Sequence, residues 1–186
     1  IENPQEKEIV EALEKGLVLV FPTDTVYGLI ANVYNKEAVN KIYEIKKRPT
    51  DMPLPIFVSS IEMAKEIAEV STEQEDELKK YWPGAYTFVL NIKKGAKEMY
   101  GTNGETVALR VPNHKPLNDI LNLLGFPLAQ TSANISGAGA TGKISEIISQ
   151  FEGGETRPDI VVNFGDLPEN KPSTIIDLTK NEILRK

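Results

Sequence analysis

Apolar positions along the chain switch between helical spacing and short unbroken runs, which predicts alternating helices and buried strands. Ile9, Val10, Leu13 and Leu17 recur at helical spacing behind Asn3-Pro4, a cap with proline at the first helical position; Gly16 closes that segment. Residues 17–21 are a continuous apolar run of strand length, and Pro22-Thr23-Asp24-Thr25 is turn chemistry. Asn35 is placed to cap a second helix, with Ala38, Val39, Ile42 and Ile45 on one face and Lys46-Lys47-Arg48-Pro49 at its end. A strand is predicted over 54–58, and helices over 61–69 and 72–81, the latter capped by Ser71 or Thr72. Pro83-Gly84 turns into a strand over 86–92; 93–105 reads as a polar loop or irregular hairpin; 106–111 is a strand. A helix over 116–124 ends at Gly125, a short strand follows over 127–130, and 131–142 reads as a long loop of small residues. A helix over 144–151, strands over 160–163 and 174–178, and a last strand at Ile183-Leu184 complete the pattern.

No repeat, low-complexity tract or linker interrupts this order. It predicts an α/β fold with a central mixed sheet, as one domain over residues 1–186.

Composition removes several chemistries. The 186 residues include no cysteine, which excludes thiol nucleophiles, thiolate zinc sites, iron–sulfur clusters and a disulfide scaffold. With a single histidine, His114, a multi-histidine metal site is excluded and a serine hydrolase would have to run through that one imidazole. Beside proline and asparagine just past a strand, His114 reads as a loop residue rather than a base. The net charge of -6 argues against non-specific nucleic-acid binding, though not against a local basic pocket. The longest apolar runs fall far short of a membrane span, and the polar start Ile-Glu-Asn-Pro-Gln-Glu-Lys is no signal peptide, so no membrane partner and a cytoplasmic location are expected.

Candidate chemistry sits on loops at strand ends. Pro22 to Leu29 brings two threonines, Asp24 and Tyr27 into one segment, where capping of backbone groups competes with ligand binding. Lys46-Lys47-Arg48 complements a helix C-terminus or forms an anion clamp. Gln130 to Gly137 is crowded with hydroxyls and an amide, which suits either ligand donors or a satisfied surface loop. Pro172-Ser173-Thr174 reads as a proline turn before a strand whose hydroxyl faces solvent. Residues 137–143 fit the G-x-x-x-x-G-K pattern of a phosphate-binding loop, but Ile144 stands where magnesium needs a hydroxyl, and six residues separate the loop from the strand end. Trp82 reads as a packing anchor at a turn.

In one order the chain carries Pro-Thr-Asp-Thr-Val-Tyr-Gly-Leu (22–29), Lys-x-Arg-Pro (46–49), Trp-Pro-Gly (82–84), Ala-Leu-Arg-Val-Pro (108–112), Thr-Ser-Ala-Asn-Ile-Ser-Gly (131–137) and Ser-Thr-Ile-Ile-Asp-Leu-Thr (173–179). Each motif is weak alone; six in register resemble the YrdC-type L-threonylcarbamoyladenylate synthases, from about Gln5 to Arg185. The resemblance implies a twisted open sheet with flanking helices around a concave, positively charged cavity. It implies formation of threonylcarbamoyl-AMP and pyrophosphate from L-threonine, bicarbonate and ATP, for N6-threonylcarbamoyladenosine in tRNA. ATP is then a substrate, accompanied by magnesium, with no tightly bound cofactor and no metal held by the protein. Further implied partners are tRNA or double-stranded RNA, and a downstream threonylcarbamoyl-transferase complex. No protein nucleophile is needed, so catalysis would come from alignment and from cations on the phosphates.

Position by position, the resemblance places Thr25, Arg110, Gln130 and Ser173 on threonine, with Arg110 pairing its carboxylate. It places Lys46, Arg48, Ser132 and Asn134 on the nucleotide phosphates, with Thr106, Arg185 and the Met52 backbone also contacting ATP; Lys46 and Arg48 are the expected catalytic pair. Two departures stand out. Phe57 occupies the position where many longer relatives carry histidine, and the chain stops at Lys186, as in a single-domain form without a second C-terminal domain. The rival readings are the YciO-like branch, which Tyr86-Thr87-Phe88 resembles, an RNA-binding module without catalysis, and a phosphate-loop NTPase, which Ile144 counts against.

Overall fold

Helix starts follow their caps. In the computed structural model, which describes residues 5–168 and 170–186, the first helix α1 is Glu6–Glu14. Its N-cap is Gln5, in a reciprocal capping box with Glu8; the Asn3-Pro4 start lies outside the described residues. Strand β1 is Leu19–Phe21 and β2 is Gly28–Asn32. Asn35 caps α2 (Lys36–Lys46) through its side-chain oxygen, 2.9 Å from the Ala38 amide. Then come β3 (Ile56–Phe57), α3 (Ile61–Ile67) and α4 (Thr72–Tyr81), the two helices capped by Ser60 and Ser71. Strands β4 (Tyr86–Asn91) and β5 (Thr106–Arg110) precede α5 (Lys115–Leu124), and β6 is Leu128–Ser132. The chain closes with α6 (Ile144–Glu152), β7 (Ile160–Val161), β8 (Thr174–Asp177) and β9 (Glu182–Arg185).

The strands form one open mixed sheet in the order β7-β1-β2-β6-β3-β5-β4-β8-β9. Two expectations from the sequence are corrected. Gly28 and Leu29, read as the end of a loop, begin strand β2, which pairs antiparallel with β1 and with β6. Residues Thr131 and Ser132, read as the start of a loop, continue β6 opposite Leu29 and Gly28. A Cβ at Gly28 would stand 3.3 Å from the Thr131 carbonyl oxygen, so glycine lets these strands approach closely there.

Side-chain alternation divides the core by face. Val18, Val20, Leu29, Ala31, Phe88, Leu90, Val107 and Leu109 join the larger core, with buried residues of α2, α3, α4 and α6. Leu19, Phe21, Ile30, Phe57 and Leu128 face the other way, into a core with Ile9 and Leu13 of α1 and Leu117 and Leu121 of α5. Arg110 is in register with Phe57 on the parallel neighbour β3, so it points to this second face. Burying a leucine- or phenylalanine-sized side chain contributes about 1.5–3 kcal/mol, so both faces are well anchored. Beyond β3, a cavity opens on the second face, lined by Thr106, Ala108 and Arg110 of β5, Val89 of β4 and Ile175 and Asp177 of β8. Among the described residues, no helix is long and apolar enough to cross a membrane.

Candidate active site

The C-terminus of α2 meets the exit of β6 at Lys46. Its side chain is buried, and its ammonium donates to the Ser132 carbonyl (2.7 Å), the Asn134 carbonyl (2.8 Å) and Asn134 Oδ1 (3.1 Å). An ammonium has three N–H bonds, so all three serve to hold the 132–134 turn rather than α2's own carbonyls. The Ser132 hydroxyl also donates to Asn134 Oδ1, and Asn134 Nδ2 donates to the carbonyls of Ile135 (3.0 Å) and Ala138 (2.6 Å). Burial, and then the charge of Arg48, pull the Lys46 pKa down to about 8. Arg48 reaches along the following loop, donating to the carbonyls of Met52 (3.4 Å) and Pro53 (3.1 Å). The Met52 carbonyl also accepts from the Tyr43 hydroxyl.

The opposite wall is the β1–β2 turn. Thr23 Oγ1 accepts from the Thr25 amide and donates to the Val26 carbonyl, closing the turn on itself. Asp24 leaves it to pair with Arg110: Oδ1 lies 2.6 Å from Nη2, and Oδ2 accepts from the Asn113 amide at 3.0 Å. Arg110 Nε donates to the Gly84 carbonyl (2.9 Å), and Nη1 lies 3.4 Å from Thr25 Oγ1. Burial lowers the Arg110 pKa and the Asp24 carboxylate opposes that. All three nitrogens of the fork expected to meet a carboxylate thus already have a partner in the protein, and one N–H on each Nη is left. Phe57 is fully buried below it, 5.7 Å from ring centroid to Arg110 Cζ.

The third wall is β8 with β9. Ser173 is buried rather than solvent-facing. Arg185 Nε and Nη2 donate to its carbonyl at 3.0 and 2.8 Å, Nη2 reaches its hydroxyl at 3.2 Å, and Thr87 Oγ1 lies 2.9 Å from the same hydroxyl. Thr106 at the start of β5 is held by Asn103, through its amide (2.7 Å) and hydroxyl (3.0 Å).

All eleven residues expected from the sequence, Thr25, Lys46, Arg48, Met52, Thr106, Arg110, Gln130, Ser132, Asn134, Ser173 and Arg185, line one cavity of about 660 Å³. Lys46, Arg48, Arg110 and Arg185 line it with one carboxylate, Asp177, and Asp24 behind the wall compensates the charge of Arg110. Asp177 Oδ1 is engaged by the Thr179 amide and hydroxyl and the Lys180 amide. The cations act on one another: Arg48 lowers the Lys46 pKa, and Arg110, after burial, lowers that of Arg185. Like charges held this close favour a polyanionic ligand in an otherwise acidic chain.

Among the described residues, no group of three or more His, Asp or Glu side chains is placed to hold a metal ion. His114 lies outside the cavity as the N-cap of α5, its Nδ1 accepting from the Leu117 amide. Lys143, last residue of the phosphate-loop-like stretch, stands at the N-cap position of α6 without a side-chain capping hydrogen bond and pairs with Glu146 at 3.2 Å. Sequence reasoning missed three contributors: Asp24 as the partner of Arg110, Thr87 beneath Ser173, and Asp177. A buried arginine inside a strand calls for a carboxylate, which was the available signal for Asp24; a hydroxyl inside a strand carries no such signal for Thr87.

The sequence model of the Sua5/YciO/YrdC family, described as "Telomere recombination", matches residues 11–186. A threonylcarbamoyl-AMP synthase of Bacillus subtilis is 38% identical over 153 residues, which is 81% of this chain and 44% of that protein, so the chain spans less than half of that relative's length. One of Vibrio vulnificus is 30% identical over 184 residues, 97% of both chains. Among solved structures, Pyrococcus abyssi Sua5 complexed with L-threonine superposes with a TM-score of 0.84 at 34% identity, over 96% of this chain and 53% of that one. Escherichia coli YciO gives 0.86 at 28% identity, over 100% and 91%. With a family model spanning nearly the whole chain and five of the six motifs contributing to one cavity, this chain belongs to the Sua5/YciO/YrdC family.

Proposed function

We propose that this chain is an L-threonylcarbamoyladenylate synthase of tRNA N6-threonylcarbamoyladenosine formation, a nucleotidyltransferase using L-threonine, bicarbonate and ATP. The observation that carries the reading is the single cavity in which the Lys-x-Arg and Ser-x-Asn pairs face Thr25, Arg110 and Ser173, with Lys46, Arg48 and Arg185 bringing positive charge that no carboxylate pairs among the described residues. The Lys-x-Arg and Ser-x-Asn signatures, and relatives named for this activity, favour it over the YciO-like and RNA-module readings.

Threonine's amine condenses with bicarbonate, losing water, to give an N-carboxylate. An oxygen of that carboxylate attacks the α-phosphorus of ATP, and the bond to pyrophosphate breaks. The chain supplies position and charge. Arg48 and the charge of Lys46 stabilise the phosphates. The Ser132–Asn134 turn, anchored by Lys46, forms the wall on the phosphate side, and Arg185, Thr106 and the Met52 backbone complete the nucleotide side. Thr25, Arg110, Gln130 and Ser173 hold threonine. The Gln130 side chain lines the cavity, and its amide offers donor and acceptor to threonine. Asp177 offers no cage for a cation, so magnesium enters on ATP as part of the substrate. The product would pass to a downstream threonylcarbamoyl-transferase complex in the cytoplasm. Mass spectrometry of a reaction with labelled bicarbonate is expected to show labelled threonylcarbamoyl-AMP; AMP or ADP alone would contradict the proposal.

A further inference from the structure

Two neighbours fix the hydrogen-bonding sense of the Ser173 hydroxyl. Its oxygen lies 3.2 Å from Arg185 Nη2 and 2.9 Å from Thr87 Oγ1. A hydroxyl has one proton and two lone pairs, and a guanidinium only donates, so Arg185 fills one lone pair. Thr87 is fully buried on β4 and does not line the cavity. Among the described residues its hydroxyl has one hydrogen-bond partner, Ser173. A buried hydroxyl proton without an acceptor is costly, so Thr87 donates to Ser173 and fills the second lone pair. Only the proton of Ser173 is then left for the cavity.

We infer that Thr87 is a positioning residue which, together with Arg185, makes Ser173 an obligate hydrogen-bond donor, so that the ligand group facing Ser173 is an acceptor oxygen, which the guanidiniums lining the same cavity favour as an anionic one. An ammonium or amide N–H would find no acceptor there. The chemistry is shared by a carboxylate and a phosphate. Given the proposed function, on which this choice of source rests, the group is the carboxylate of threonine. Arg110 lines the same cavity and brings a second guanidinium, held in place by Asp24.

Calorimetric titration of L-threonine, L-threoninamide and ATP into wild type, Thr87→Val and Thr87→Ser tests this, with a melting curve for each. Valine keeps the shape but frees a lone pair on Ser173, which can then rotate. The threonine Kd is expected to rise about three- to tenfold in Thr87→Val through lost preorganisation, and to return in Thr87→Ser. Threoninamide keeps a carbonyl acceptor but has no anionic oxygen, so it should bind wild type more weakly than threonine, and ATP affinity should be unaffected by the substitutions. A loss confined to ATP would keep the role of Thr87, assign the facing oxygen to phosphate, and contradict the placement of threonine. Wild type that binds ATP but not threonine would sink the proposed function alone, and the ATP titrations then judge Thr87. Unchanged affinities throughout or equal losses for threonine and ATP in a folded Thr87→Val, or threoninamide binding wild type as tightly as threonine, would overturn the inference. Thr87→Cys, a weak donor of similar size, should fall between valine and serine and serves if valine fails to fold.

Discussion

The ammonium of Lys46 lies 2.8 Å from the carbonyl oxygen and 3.1 Å from the side-chain oxygen of Asn134, residues 88 positions apart. With the Ser132 carbonyl at 2.7 Å, the lysine's hydrogen bonds are spent on the turn, and only its charge is left for a ligand. Lys46→Met should therefore act largely through Asn134. Each of Lys46→Met and Asn134→Ala is expected to slow threonine-dependent pyrophosphate release by about ten- to a hundredfold, and the double variant by much less than the product. Full additivity would mean that the two act separately.

The same burial sets a pH dependence. A lysine that ordinarily titrates at 10.5 is brought down to about 8 here, so folding disfavours its charged form. Between about 8 and 10.5 the unfolded chain holds more protons at this site than the folded one. The cost of burying the ammonium is thus present in full below about 8 and relieved as pH rises through that window. Turnover should do the reverse, falling above about 8 as the charge is lost. Lys46→Met should lack both limbs. Denaturant midpoints and rates measured across this range check it; a wild-type rate that stays level above pH 8 would refute the role of the charge.

Asp24 and Arg110 are a buried ion pair, with side chains 10% and 3% exposed. Asp24→Asn leaves the guanidinium without its counter-charge, and breaking such a pair costs about 3–5 kcal/mol. Arg110→Lys keeps a charge but loses the reach to both Gly84 and Thr25. Both variants should weaken threonine binding and leave ATP binding nearly unchanged in calorimetric titration. Equal losses for both ligands would make the pair purely structural.

His114 accepts the Leu117 amide at the start of α5, outside the cavity. Losing such a cap costs about 0.5–2 kcal/mol. His114→Ala should lower the melting temperature accordingly and leave turnover unchanged at a temperature where it is folded. A drop in rate without loss of stability would instead give the imidazole a chemical role.

The helices were legible because caps are local: Asn35 and Ser71 each mark a start that the structure keeps. Strand β2 was not, because Gly28–Asn32 lies almost entirely in the core and shows no alternation, directly after a turn rich in functional residues. Thr131 and Ser132 look like loop residues until their partners on β2 are known. The site residues were legible only through the six-motif resemblance. Their partnerships were not: Asp24 with Arg110 and Thr87 with Ser173 each join residues 86 positions apart, which pairing across the sheet alone brings together.

The most direct test of the proposed function is pyrophosphate release from ATP in the presence of bicarbonate, measured with and without L-threonine. Release that depends on threonine, and that falls about ten- to a hundredfold in a folded Arg48→Ala, is the predicted result. Equal release with and without threonine would contradict it.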